Sequence, residues 1–159
     1  QNGSGTNDSS TGSSGSGEVG VCGTQRCGDA LGAEIQEAAN AEGVNPLLLQ
    51  ALIDTENANG TNCATDKIRN ETDGSQSCGL FQLNTRGAAA ACGISCQEAL
   101  DVVTNLRCAA DYLKDGGADT PCKAAHRWNP GACSSSCQDL FYTYCSRTET
   151  SYEFYSSCN

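Results

Sequence analysis

Twelve cysteines in 159 residues constrain this chain more than any other feature. It has no CxxC pair and only one histidine, His126, so it lacks the ligand spacing of a zinc site, and no metal is expected. The expectation is six disulfides formed in an oxidising compartment, and therefore a secreted, extracellular protein. Twelve cysteines permit on the order of ten thousand pairings, so connectivity stays open apart from local pairs such as Cys22 with Cys27. Sequons at Asn2, Asn7, Asn59 and Asn70 agree with a eukaryotic secretory route and a glycoprotein. No basic n-region with an apolar h-region opens the chain and no run of about 18 apolar residues occurs, as in a mature, soluble protein with no membrane span.

Nine basic residues against nineteen acidic ones give a net charge of −10. That balance argues against nucleic acid as the main partner. Residues 1–17 read QNGSGTNDSSTGSSGSG, with a single charge and no aliphatic side chain. Such a segment cannot offset its chain entropy by burial, so residues 1–20 are expected to be a flexible linker or tail. Residues 21–159 then form one domain, long enough to bury a core.

Helical signals dominate that domain. Asp29 can cap a helix running to Glu42 and stopped by Gly43. Asn45-Pro46 supplies an N-cap and a proline at the first helical position of a second helix. On this helix Leu49, Leu52, Ile53 and Glu56 share one face. Residues 58–77 show no helical period and read as a long functional loop. GLFQLN, at 79–84, is too short to assign by period and fits a brief strand or a helical turn. Ser95-x-x-Glu98 is a capping box ahead of a long helix that stops at Gly116-Gly117. A short helix follows from Pro121 to Arg127, and another is expected to start near Ser136 and carry Leu140, Phe141, Tyr144 and Cys145. The sum is a mainly α single domain stapled by disulfides.

Glu56 is oddly placed for a purely structural carboxylate. It ends an apolar helix face, at the helix end whose dipole disfavours negative charge. Partial burial against Leu52 and Ile53 would raise its pKa and leave it protonated, as a general acid requires. Asp54 lies about 200° around the helix from Glu56 and is the weaker candidate. The Gly-rich tail lacks the context of a phosphate-binding loop, and no nucleophile elbow accompanies His126.

Read together, three motifs fall in a telling order: Glu56 at a helix end, Gly79-Leu80-Phe81-Gln82, and Trp128-Asn129-Pro130-Gly131. This order resembles the lysozyme-like fold of goose-type lysozymes and soluble lytic transglycosylases over roughly residues 29–135. There a catalytic Glu closes a helix, a Gly-Leu-Met-Gln motif follows, and an Ala-Tyr-Asn-x-Gly motif comes near the end. The resemblance implies Glu56 as general acid. It implies Asp73, six residues before Gly79, as the group that positions water, with Asp66 in reserve. Asn84 stands where goose-type lysozymes carry a second aspartate. Gly79, Phe81, Gln82, Asn84, Trp128 and Asn129 become the implied substrate-binding set, with Gly79 letting the backbone approach the sugar. Phe81 replaces the usual Met. Trp128 replaces the usual Tyr, losing a hydroxyl that in the family lies near the catalytic Glu, but keeping a face that can stack on a pyranose.

The implied function is a secreted, monomeric muramidase that cuts β-1,4 bonds between N-acetylmuramic acid and N-acetylglucosamine in peptidoglycan. That chemistry needs no cofactor. The alternatives are a chitinase- or chitosanase-like hydrolase, a lytic transglycosylase giving 1,6-anhydro products, or a non-catalytic sugar-binding protein. An acidic protein sits awkwardly against a negatively charged cell wall.

Overall fold

A computed structural model describes residues 17–57, 60, 63–141 and 143–158. The elements run α1 (Cys27–Ala30), α2 (Gly32–Glu42), α3 (Pro46–Glu56), β1 (Ile68–Asn70), β2 (Gln76–Cys78), β3 (Leu83–Asn84) and α4 (Ala88–Cys92). A 3-10 turn (Glu98–Leu100), α5 (Val102–Asp115), α6 (Pro121–Trp128) and α7 (Tyr144–Ser156) complete the order. The mainly helical architecture agrees with the sequence reading. Among the described residues no helix is long and apolar enough to cross a membrane.

Helix α3 is the axle of the molecule. Asn45 caps it by accepting a hydrogen bond from the Leu47 amide, with Pro46 at the first helical position. Its expected single apolar face is too modest a description. Leu48, Leu49, Ala51, Leu52 and Ile53 are all buried, because α1, α2, α5, α6 and α7 pack around it. A helix enclosed on all sides must also satisfy its buried polar groups. Gln50 Nε2 donates to the carbonyls of Gly20 and Gly28, and Asp54 accepts from the Gly28 amide and the Tyr155 hydroxyl. Thr55 pairs with Thr148 of α7 at 3.0 Å. Asp54 is therefore a core tie between the chain's first helix and its last. Val19 and Gly20, inside the segment expected to be linker, donate their amides to Gln36 and Gln50.

The other helical boundaries follow their caps, with three corrections. Ser95 and Glu98 do form the capping box, but it opens only the 3-10 turn. Asp101 then caps α5 separately through Thr104. The last helix starts at Tyr144, not near Ser136. Leu140 and Phe141 lie ahead of it, 56% and 71% exposed, so their apolar character misled the period. Asp29 lies inside α1, where its carboxylate accepts from the Cys22 and Thr24 amides.

The stretch expected to be a loop supplies β1 and most of β2 of a small antiparallel sheet in the order β1-β2-β3, and the end of GLFQLN supplies β3. Ile68 pairs with Cys78, and Cys78 with Leu83. Strands of two or three residues leave no period to detect.

All twelve cysteines are paired: 22–158, 27–63, 78–96, 92–108, 122–137 and 133–145. The suggested Cys22 to Cys27 staple is thus wrong. Cys22 ties the start of the domain to its last turn, and Cys27 holds the segment after α3. Six disulfides are consistent with an extracellular protein. Of the sequons, Asn70 is exposed on β1, while Asn2, Asn7 and Asn59 lie outside the described residues.

Candidate active site

An open cleft of about 280 Å³ lies where the C-terminal end of α3, the small sheet, α5 and the end of α6 meet. Glu56, Arg69, Phe81, Gln82, Leu83, Asn84, Ala88, Tyr112, Trp128 and Asn129 line it. Six of the nine residues expected at the site are therefore brought together. Glu56 is the one carboxylate among the described lining residues.

Glu56 is exposed to the water of the cleft, yet protein walls crowd it on its other sides. Desolvation pushes its pKa above the ordinary 4.5. A hydrogen bond from the Tyr144 hydroxyl and the positive charges of Arg147 and Arg69 pull it partly back. The result is a carboxyl that keeps its proton to higher pH than a surface Glu while remaining reachable by a ligand.

The Tyr144 hydroxyl donates to Glu56 Oε1. Burial, and next the charge of Glu56, push this phenol far above its usual range, so it stays a donor at any working pH. The resemblance implies a hydroxyl near Glu56 that Trp128 cannot supply. Tyr144 supplies one from the start of α7. Its neighbour Cys145 is bonded to Cys133, and this cross-link pins the start of α7 against the loop after α6. No local pattern ties Tyr144 to a residue 88 positions away; the disulfide and the α3·α7 packing create the contact.

The aromatic wall is built from two helices, α5 and α6, and the turn before β3. Phe81, 1% exposed, lies under Trp128 with ring centroids 4.8 Å apart, and Tyr112 of α5 meets Trp128 edge-on at 5.7 Å. Phe81 thus seats Trp128, while the half-buried indole faces the cleft.

The turn Gly79–Gln82 is held from behind. The Phe81 amide donates to Asn105 Oδ1, and Asn105 Nδ2 donates to the carbonyls of Cys78 and Ala99. Gly79 has φ +74°, and a Cβ there would sit 2.1 Å from the Ala99 carbonyl oxygen. Its bareness serves this packing on the core side, and Gly79, expected to let the backbone approach the sugar, is outside the cleft lining. Gln82 is strained at φ +50°. Its Nε2 donates to the Lys67 and Gly79 carbonyls, which leaves buried Oε1 with no partner among the described residues. That oxygen is available to a substrate N–H or O–H.

Asp73 lies in the turn between β1 and β2, outside the cleft lining. Its Oδ1 accepts from the Ser75 amide and hydroxyl, and Arg86 stands 3.8 Å from Oδ2. These partners, Ser75 first, hold its pKa below the ordinary value. Asn84 Nδ2 donates to the same Ser75 hydroxyl, while Asn84 Oδ1 accepts from the Arg86 amide. Asn84 and Asp73 are therefore joined through Ser75, and the Asn84 amide is already committed. Asp66 is exposed and also outside the lining. Arg69, Tyr112 and Tyr144 are the site residues that the sequence reading missed.

A helical domain, with a carboxyl closing its central helix over a sheet-walled sugar-sized cleft, defines the lysozyme-like class. Residues 33–125 match the family described as the transglycosylase SLT domain. The match spans more than half of the chain, which belongs to that family and so to the lysozyme-like enzymes that cleave peptidoglycan. It contains Glu56 and GLFQLN and stops short of Trp128 and Tyr144. The chain has no significant match among curated proteins or solved structures.

Proposed function

We propose that this protein is a secreted muramidase that cuts the β-1,4 bond between N-acetylmuramic acid and N-acetylglucosamine, with Glu56 as acid and then base. The observation that carries this reading is the protonation bias of Glu56. Its pKa is raised by desolvation, and it is the one carboxylate among the described residues that line the cleft. Protonated Glu56 donates to the leaving oxygen, and the Tyr144 hydroxyl holds the carboxyl in place and steadies the carboxylate that forms. Trp128 offers an apolar face to a sugar ring, and Gln82 Oε1 accepts a hydrogen bond from it.

Two-carboxylate glycosidases place a second acid across the scissile bond. Asp73 and Asp66 lie outside the cleft lining, which supports a nucleophile supplied by the substrate itself, the acetamido carbonyl oxygen of the muramic residue. Ionised Glu56 then takes a proton from the group that resolves the intermediate. Water gives a reducing end; the sugar's own 6-hydroxyl gives a 1,6-anhydro product, the outcome that the family's name supports. A second reading has Asp73 holding the attacking water. It is favoured by the link from Asp73 through Ser75 to Asn84, which does line the cleft.

Digestion of peptidoglycan beside chitin, with products weighed by mass spectrometry, tests the proposal. Fragments ending at muramic residues from peptidoglycan are expected, with their mass 18 Da lower if anhydro rings form, a figure of about one water. Cleavage of chitin with none of peptidoglycan would overturn it.

A further inference from the structure

A second cavity, about 330 Å³, opens beside the cleft. Tyr112 of α5 borders both spaces, so the two adjoin at this side chain. Three cationic or protonatable side chains of α6, Lys123, His126 and Arg127, wall this cavity, in a protein whose net charge is −10. A concentration of positive groups on an acidic molecule, next to its cleft, is where an anionic portion of the substrate would settle.

Arg127 is held in place with unusual care. Its Nε donates to the Tyr112 carbonyl at 3.0 Å, and its guanidinium lies 3.8 Å over the Tyr112 ring. Its stem lies against Gly116, where a Cβ would come within 2.5 Å of Arg127 Cδ and Nε. A glycine is needed there for this close approach. These contacts use Nε and the face of the group. The two terminal nitrogens have no carboxylate partner among the described residues. A preorganised guanidinium with both terminal nitrogens free suits bidentate recognition of a carboxylate.

Its neighbours add to this. His126 Nδ1 lies 2.8 Å from the Cys133 carbonyl; a carbonyl can only accept, so Nδ1 carries the proton and Nε2 is left for a ligand. Lys123 pairs with Asp119 at 2.9 Å on the exposed side of α6, which leaves it a partial charge contribution. Arg127 is therefore the principal anchor.

We propose that this cavity is a subsite for carboxylates carried by the glycan beyond the bond being cut. The proposal rests on the peptidoglycan reading above. Muramic residues bear a lactyl carboxyl, either free or extended by a peptide that carries carboxylates of its own, and N-acetylglucosamine chains carry neither. The subsite gives an acidic enzyme a local means of holding an anionic polymer, and it separates peptidoglycan from chitin where the cleft alone would not.

The test is calorimetric titration of the Glu56→Gln protein with three soluble oligosaccharides. These are a peptide-bearing muramyl glycan, the same glycan with peptides removed so that lactyl carboxyls are free, and chitotetraose. Adding Arg127→Gln should reduce the preference for carboxylated glycan over chitotetraose about tenfold, the worth of one charge-assisted pair. Arg127→Lys should restore part of it, and high salt should erase it. A loss confined to the peptide-bearing ligand places the peptide carboxylates in the subsite; a loss on both muramyl ligands places the lactyl group there. Should Arg127→Gln loosen the fold, Lys123→Gln, an exposed position, should shift the same ratio severalfold in the same direction. Ratios unchanged in the Arg127 and Lys123 variants, or equal losses on all three ligands, would overturn the subsite. Failure of the unsubstituted protein to cut peptidoglycan would instead sink the cleavage reading, while the binding ratios are read without turnover.

Discussion

Replacing Tyr144 by Phe removes one oxygen and leaves the ring of a buried side chain, 6% exposed, in place. The hydroxyl donates to Glu56. A hydrogen bond to a charged group contributes about 1.5–3 kcal/mol. The Glu56 carboxyl also opens to cleft water, which can replace part of the lost donor, so the low end of that range applies. A loss of about 1.5 kcal/mol from the step in which Glu56 becomes a carboxylate corresponds to about a tenfold fall in kcat/KM. The pH profile carries the sharper test. The Tyr144 hydrogen bond lowers the Glu56 pKa against a larger desolvation effect that raises it, so the variant should keep its general acid protonated further up the pH scale. The basic limb of kcat/KM against pH should move upward, measured on a soluble glycan. A tenfold loss with a fixed limb would mean that Tyr144 only packs, and no loss at all would refute its role as donor to Glu56.

Four further outcomes follow from the same contacts. Because the folded-state pKa of Glu56 lies above its ordinary 4.5, its ionisation weakens the fold as pH rises through that window. Glu56→Gln, whose amide oxygen can still accept from Tyr144, should therefore raise the melting temperature more at pH 7 than at pH 4, as thermal scans would show, and an equal effect at both would contradict the desolvation. Gly79→Ala forces a Cβ toward the Ala99 carbonyl at φ +74° and should cost about 3 kcal/mol or more in denaturant titration. Replacing Cys133 and Cys145 together by Ser opens a loop 12 residues long, which should cost about 3 kcal/mol in the chain-entropy account. It should also lower kcat/KM toward that of Tyr144→Phe. Asp73→Asn should leave cleavage within a few-fold of normal if the substrate supplies the nucleophile; a loss of about a hundredfold would favour the water-holding reading.

The sequence disclosed most where a residue acts on its near neighbours. The Asn45-Pro46 start, the Gly43 stop and the Ser95/Glu98 box are local hydrogen-bonding devices, and each was readable. Glu56, Gln82, Asn84 and Trp128 were legible through motif order, and the cleft does gather them. What escaped depends on long-range closure. The hairpin at 68–78 has strands too short to show alternation, and the cysteine partners are set by how helices stack. Tyr144 reaches Glu56 because α7 folds back along α3, which no window of residues 136–145 reveals. Asp73 was placed by spacing, and spacing says nothing of the Ser75 turn that holds its carboxylate away from the cleft.

The central claim is that Glu56 is the acid that breaks the glycosidic bond. Purified Glu56→Gln protein, incubated with peptidoglycan and analysed by mass spectrometry beside the unsubstituted protein, tests it most directly. The account predicts no muramyl-terminated fragments from a variant that melts no lower than the parent. Fragments released at the parental rate would contradict it.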